Sequence, residues 1–284
     1  MNLEAAAAYA ERHQLHALLV QQGDRIVFER YGGGYDAEKP HALYSGTKSF
    51  WGVGAVAAQD DGLLDLDEHV GASIPSWSDG EKAAVTLRML LQLIAGIGFG
   101  GLGSAVPSYE RALGVALKDA PGTTFTYGGI PLQVFGAVFA HKLASRGLSP
   151  HEYLGERIFG PLGLRVGAWR TLKDGTQPLP TGAFVTAREW RKFGLLVRDR
   201  GMFGGAAVVR PESLATCFVG SDANPRYGLC WWLSPLREVP DVVYAGGAAG
   251  QALYVIPSEN AVVVKFGGSA SYKHDAFLKR LLAD

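Results

Sequence analysis

The chain has 284 residues, 27 lysines and arginines against 27 aspartates and glutamates, and a hydrophobic fraction of 48%. That length can bury one large core or two entangled ones, and the even charge lacks the basic footprint of a nucleic-acid binder. Two cysteines without a CxxC spacing give no disulfide framework, and no run reaches about 18 consecutive apolar residues, so no membrane span is expected. The first residues carry Glu4 and Glu11 without the apolar stretch of a signal peptide, and a cytoplasmic protein is expected.

In chain order, the pattern predicts a surface helix over residues 3–13, then strands over 15–22 and 25–30 joined at Gly23-Asp24. A glycine-rich loop over 31–40 leads to Ser45. From Ser45 to Asp60 nearly every residue is apolar or small, which predicts a helix buried on all sides and closed by Asp60-Asp61-Gly62. Thr86 opens an apolar helix through Leu93, and the glycines of 96–103 demand a loop. A second loop covers 121–129, a helix follows over about 131–145, and Ser149-Pro150 starts another that ends near Gly160-Pro161. Thr186 and Glu189 form a capping box for a helix reaching Arg198. Strands over 227–233, 242–245, 251–256 and 261–266 precede a last helix over 272–282. Cys230, in the apolar run Leu229-Cys230-Trp231-Trp232-Leu233, reads as a reduced core residue. Strands at both ends with helices between predict an α+β fold. Its sheet would come from residues 1–62 and 181–284, with a mostly helical insert over 63–180.

Three places carry candidate chemistry. Ser45 and Lys48 lie at i and i+3, on one helix face, where an amine can take the proton of a hydroxyl nucleophile. Tyr127 sits among glycines, and a phenol beside an ammonium can serve as a general base. The small residues of Ala245-Gly246-Gly247-Ala248-Ala249-Gly250-Gln251 would let a strand edge approach a substrate closely. Each has a plainer reading: Ser45 as a helix cap with Lys48 solvated, Tyr127 as a core aromatic, and 246–250 as a hairpin turn. There is no His-Glu-x-x-His, GxSxG or phosphate-binding loop. The seven histidines are scattered, with His41 expected at the surface, and no metal or cofactor is expected.

Taken together, these segments resemble the serine β-lactamase and penicillin-recognising superfamily. The nearest branch is that of class C β-lactamases, family VIII carboxylesterases, D-aminopeptidases and 6-aminohexanoate-dimer hydrolases. Tyr44-Ser45-Gly46-Thr47-Lys48-Ser49-Phe50 resembles its nucleophile motif, and Ala120-Pro121-Gly122-Thr123-Thr124-Phe125-Thr126-Tyr127 the segment with its tyrosine. Tyr227-Gly228-Leu229-Cys230-Trp231-Trp232 is a further characteristic piece, and Gly250-Gln251 with Leu253-Tyr254-Val255-Ile256-Pro257 resembles the third-motif strand. The resemblance implies a β-lactamase/transpeptidase-like fold, mainly an antiparallel sheet flanked by helices. It implies Ser45 as nucleophile, Lys48 as base or proton relay, and Tyr127 as general acid/base. The backbone N–H groups of Ser45 and Ala248 would form the oxyanion hole. Gly247, Tyr109, Phe99 and Trp231 are expected around a small ester or amide substrate. Three departures stand out: Tyr127-Gly128-Gly129 replaces Tyr-x-Asn, Ala245-Gly246-Gly247 replaces Lys-Thr-Gly, and Ala95-Gly96 replaces Ser-Gly. The first two remove the amide and the cation that would hold a β-lactam, which favours esters or small amides. A β-lactamase, a D-aminopeptidase and a sensor that binds without turnover are the alternatives.

Overall fold

The N-terminal hairpin forms where the pattern places it, from β1 (Leu15–Gln22) and β2 (Arg25–Tyr31). Strands β3 (His41–Ala42), β4 (Ala168–Trp169) and β5 (Ala183–Val185) make a small separate sheet with β5 in the middle. The other end of the chain supplies β6 (Trp232–Leu233), β7 (Val243–Gly247), β8 (Gln251–Ile256) and β9 (Ala261–Gly267). These join the hairpin in a six-stranded antiparallel sheet of order β2-β1-β9-β8-β7-β6. This computed structural model describes residues 1–101 and 103–283, so Leu102 in the first glycine loop lies outside the described residues.

Strands β8 and β9 are buried along their whole length, which requires cover on both faces. Side chains alternate along β9. Val262, Val264 and Phe266 meet the core that contains α2 (Lys48–Asp60), α3 (Leu87–Leu91), α4 (Ile130–Leu143) and α5 (Ala187–Arg198). Ala261 and Val263 meet the opposite core, against the N-terminal helix α1 (Leu3–Arg12) and the C-terminal helix His274–Leu281.

Helix α2 is the spine of the first core. Every residue from Lys48 to Ala58 is buried, as a stretch apolar on all sides requires. At Gly52 a Cβ would stand 2.0 Å from the Leu229 carbonyl oxygen, so the 229 backbone lies directly on the helix. That contact explains a departure from expectation. Residues 227–233 do not run as one strand: Tyr227 bridges back to Trp232, and Gly228 N donates to Trp231 O. Cys230 turns the segment at φ 62° and, as expected, is buried and free. Only Trp232 and Leu233 enter the sheet. The Thr186 cap also differs in detail, since its hydroxyl accepts from Glu189 N while the Glu189 carboxylate turns to Arg165 N and Lys192.

Lys265 lies on β9 with no exposed surface, and its amine has no hydrogen-bond partner among the described residues. It rests 4.0 Å from the centre of the Tyr272 ring. Burial lowers its pKa from 10.5 to about 8. Between those values the unfolded chain binds the extra proton, so stability rises with pH across that window. The rise is on the order of 3 kcal/mol. Lys265→Met should be more stable than the parent near neutrality, with the gap closing towards pH 10. Urea unfolding of both proteins across this range checks it, and a gap independent of pH would contradict it.

Candidate active site

Ser45 lies inside a 3₁₀ turn, Tyr44–Thr47, that runs into α2 at Lys48. In such a turn side chains at i and i+3 eclipse, and Lys48 Nζ stands 3.0 Å from Ser45 Oγ. Tyr44 begins the turn at φ 49°, a left-handed conformation that costs a non-glycine residue energy and is common at functional sites. Ser45 is half-buried and Lys48 only 1% exposed. The plainer reading of a capping serine and a solvated lysine is therefore not what the chain adopts. Lys48 Nζ also donates to Pro180 O at 3.3 Å and lies 4.8 Å from the centre of the Tyr127 ring. The Pro180 segment is held by Gln133, buried on α4. Its Oε1 accepts from Leu179 N at 2.9 Å and its Nε2 donates to Pro107 O at 2.6 Å.

Tyr127 is half-buried, with its ring stacked on Trp232 at 5.4 Å and edge-on to Tyr227 at 6.0 Å. Its hydroxyl has no hydrogen-bond partner among the described residues. The aromatic expected here was Trp231, and the structure corrects that choice. Trp231 has no exposed surface and stacks on Phe193 in the core, because the turn at Cys230 sends the next residue, Trp232, to Tyr127 instead. Tyr109 packs its ring against Gly136 of α4 and donates to Gln177 O at 3.2 Å. It braces the segment leading to Pro180, and burial raises its pKa. Phe99 is 75% exposed, beside Gly100, whose carbonyl accepts from Gly129 N. That hydrogen bond places it next to the Tyr127 loop.

The small-residue segment is the turn between β7 and β8, with a 3₁₀ turn over Ala248–Gly250. A Cβ on Gly247 would stand 2.2 Å from Leu43 O, which itself accepts from Gly46 N at 3.0 Å. Only glycine permits this approach, and it sets the Ser45 turn and the Ala248 turn side by side. Early N–H groups of a short turn have no acceptor within it. Ser45 and Ala248 occupy such positions, and neither N–H has a partner outside its turn among the described residues. Two backbone donors are thus left over beside a serine hydroxyl that touches an amine.

His41, expected at the surface, is buried. Its Nδ1 faces Ala42 O at 2.9 Å and its Nε2 faces His16 Nδ1 at 2.9 Å. A carbonyl only accepts, so His41 Nδ1 carries the proton and His16 donates to Nε2. Burial lowers the pKa of both imidazoles. Among the described residues no group of three or more His, Cys, Asp or Glu side chains could hold a metal ion. No helix among them is long and apolar enough to cross a membrane.

The sequence profile of the Beta-lactamase family matches residues 6–282. The chain belongs to the Beta-lactamase family. It therefore shares the β-lactamase/transpeptidase-like fold of a family of hydrolases. A Bacillus anthracis protein named as a 6-aminohexanoate-dimer hydrolase superposes with TM-score 0.83 at 18% identity, over 97% of this chain and 79% of that one. EstCE1, described as a hydrolase with promiscuous acyltransferase activity, gives 0.75 at 17%, over 98% and 97%. A D-stereospecific amidohydrolase from Streptomyces sp. gives 0.77 at 15%, over 99% and 98%. At these identities the likeness is one of fold. No curated protein matches the sequence. Within the family frame, the residues that sequence reasoning missed are Trp232, Pro180 and Gln133. A glutamine inside the apolar helix stretch Ile130-Pro131-Leu132-Gln133-Val134-Phe135 was the visible signal for the last.

The two tryptophans should separate in mutagenesis. Trp231→Ala empties a fully buried site and should cost about 3–5 kcal/mol in urea unfolding. Trp232→Ala removes a half-buried ring and should cost clearly less. Equal losses would contradict the placement.

Proposed function

We propose that the protein is a serine hydrolase that forms an acyl-enzyme at Ser45 and acts on small esters or small amides. The observation that carries the reading is the 3.0 Å contact between Lys48 Nζ and Ser45 Oγ. Lys48 as free amine takes the Ser45 proton as Oγ bonds to the substrate carbonyl carbon. The oxyanion that forms is met by the N–H groups of Ser45 and Ala248. Collapse of the tetrahedral adduct breaks the bond to the leaving group, which receives a proton from the Tyr127 hydroxyl. The proton held by Lys48 then passes to the phenolate oxygen of Tyr127, which restores both groups. Water then attacks the acyl carbon by the same relay in reverse and frees Ser45.

The substrate class follows from what the cleft lacks. Ala245-Gly246-Gly247 offers no cation for a β-lactam carboxylate, and Gly129 no amide for its side chain. An uncharged ester or amide needs neither. Structural neighbours named for amide hydrolysis and an esterase-named hydrolase support both bond types.

With p-nitrophenyl acetate or butyrate as substrate, turnover is expected in the parent and its loss in Ser45→Ala. Lys48→Ala and Tyr127→Phe should each lower kcat by about 10²–10⁴-fold. Nitrocefin should be the poorer substrate. Faster turnover of nitrocefin would favour a β-lactamase, and ester hydrolysis that survives Ser45→Ala would rule out the serine mechanism.

A further inference from the structure

Gln251 opens β8 directly opposite Gly247 and has no exposed surface. Its side-chain amide makes three hydrogen bonds. Nε2 donates to Ala248 O at 2.9 Å and to Gly267 O at 2.6 Å, and Oε1 accepts from Gly267 N at 2.9 Å. Both donors of the amide are therefore used, and each needs an acceptor because the site is dry. Two of the bonds complete the end of β9. The third returns to the carbonyl of the residue whose N–H the mechanism calls on.

That carbonyl belongs to a turn that local preference does not hold. Ala249 stands at φ 58° and Gly250 at φ 81°, both left-handed, and alanine avoids that region. Gly250 is further confined by the Tyr272 ring, 2.8 Å from where a Cβ would lie. The peptide before Ala248 is pinned by the ladder pair Gly247↔Gln251 and by the contact of Gly247 with Leu43 O. The peptide after it is pinned by the Gln251 amide. With both sides fixed, the direction of the Ala248 N–H is fixed.

We propose that Gln251 is the positioning residue of the oxyanion hole, acting through the Ala248 turn. This rests on the serine-hydrolase reading above. Gln251 touches no substrate atom in this scheme, so its removal should weaken stabilisation of the oxyanion and leave substrate binding nearly unchanged.

The test compares a p-nitrophenyl ester with its thionoester, in which sulfur replaces the carbonyl oxygen and accepts hydrogen bonds poorly. Gln251→Met keeps the length and apolar fit of the side chain and removes all three bonds. It should lower kcat on the ester by about 10–10²-fold, short of the about 10²–10³-fold lost when an oxyanion donor is removed outright. KM should change little, and the preference for ester over thionoester should shrink towards that of Ala248→Pro, which deletes the N–H itself. Gly247, at φ −122° and ψ 164°, has the extended backbone that precedes proline without strain. Gln251→Glu gives an independent readout should the Met variant not fold. Its ester preference should recover as pH falls and the buried carboxyl regains a donor, a recovery the parent does not show. Ester preference equal to the parent in a folded variant, whatever the loss of kcat, would reduce Gln251 to a structural residue and overturn the proposal. A parent with no ester or amide turnover would instead overturn the hydrolase reading, and the proposal with it.

Discussion

An amine carried into the interior has to be given partners, and the cleft of this protein is arranged around that requirement. Lys48 belongs to the first turn of a helix that is buried from Lys48 to Ala58. It is only 1% exposed, and an unpartnered ammonium there would be costly. Three separate parts of the chain answer it: the Ser45 hydroxyl, the Pro180 carbonyl and the face of Tyr127. The same three contacts bring a hydroxyl, an amine and an aromatic ring from separate parts of the chain to one place.

Lys265 shows what the alternative looks like. It is equally buried, yet its amine lies over the Tyr272 ring with no hydrogen-bond partner among the described residues, and burial lowers its pKa. The difference between the two lysines is therefore not burial but convergence. Lys48 stands where several elements end, and Lys265 stands in the middle of a strand.

Backbone contacts without side chains hold the elements of the site together. Gly52 lets the 229 segment lie on α2, and Gly247 lets the Ala248 turn lie on Leu43. The segment Ala245-Gly246-Gly247 carries no lysine, but its last glycine permits the contact that sets the two turns side by side. Gln133 and Gln251 then fix the flanking segments from inside the core, each through both ends of its amide.

Periodicity and turn chemistry made much of the fold legible. The β1–β2 hairpin, the all-apolar α2 and the helix started by Ser149-Pro150 stand close to their expected positions, since each depends on neighbours within a few residues. Ser45 and Lys48 were legible for the same reason, being three residues apart on one turn. Trp231 and His41 were not. Residues 227–233 look like a strand, but the 229 backbone lies on α2, Leu229 N donates to Cys217 O and Cys230 N to Leu91 O, and with Cys230 left-handed it is Trp232 that meets Tyr127. His41 looks like a loop residue until β1 brings His16 against it. By itself, the sequence determined which residues were candidates for acyl chemistry and most of the strands and helices that carry them. Tertiary structure alone decided which aromatic meets Tyr127, which carbonyl meets Lys48, and that the two turns with unused N–H groups lie together. Those choices are contacts between segments more than a hundred residues apart in several cases, and no local preference encodes them.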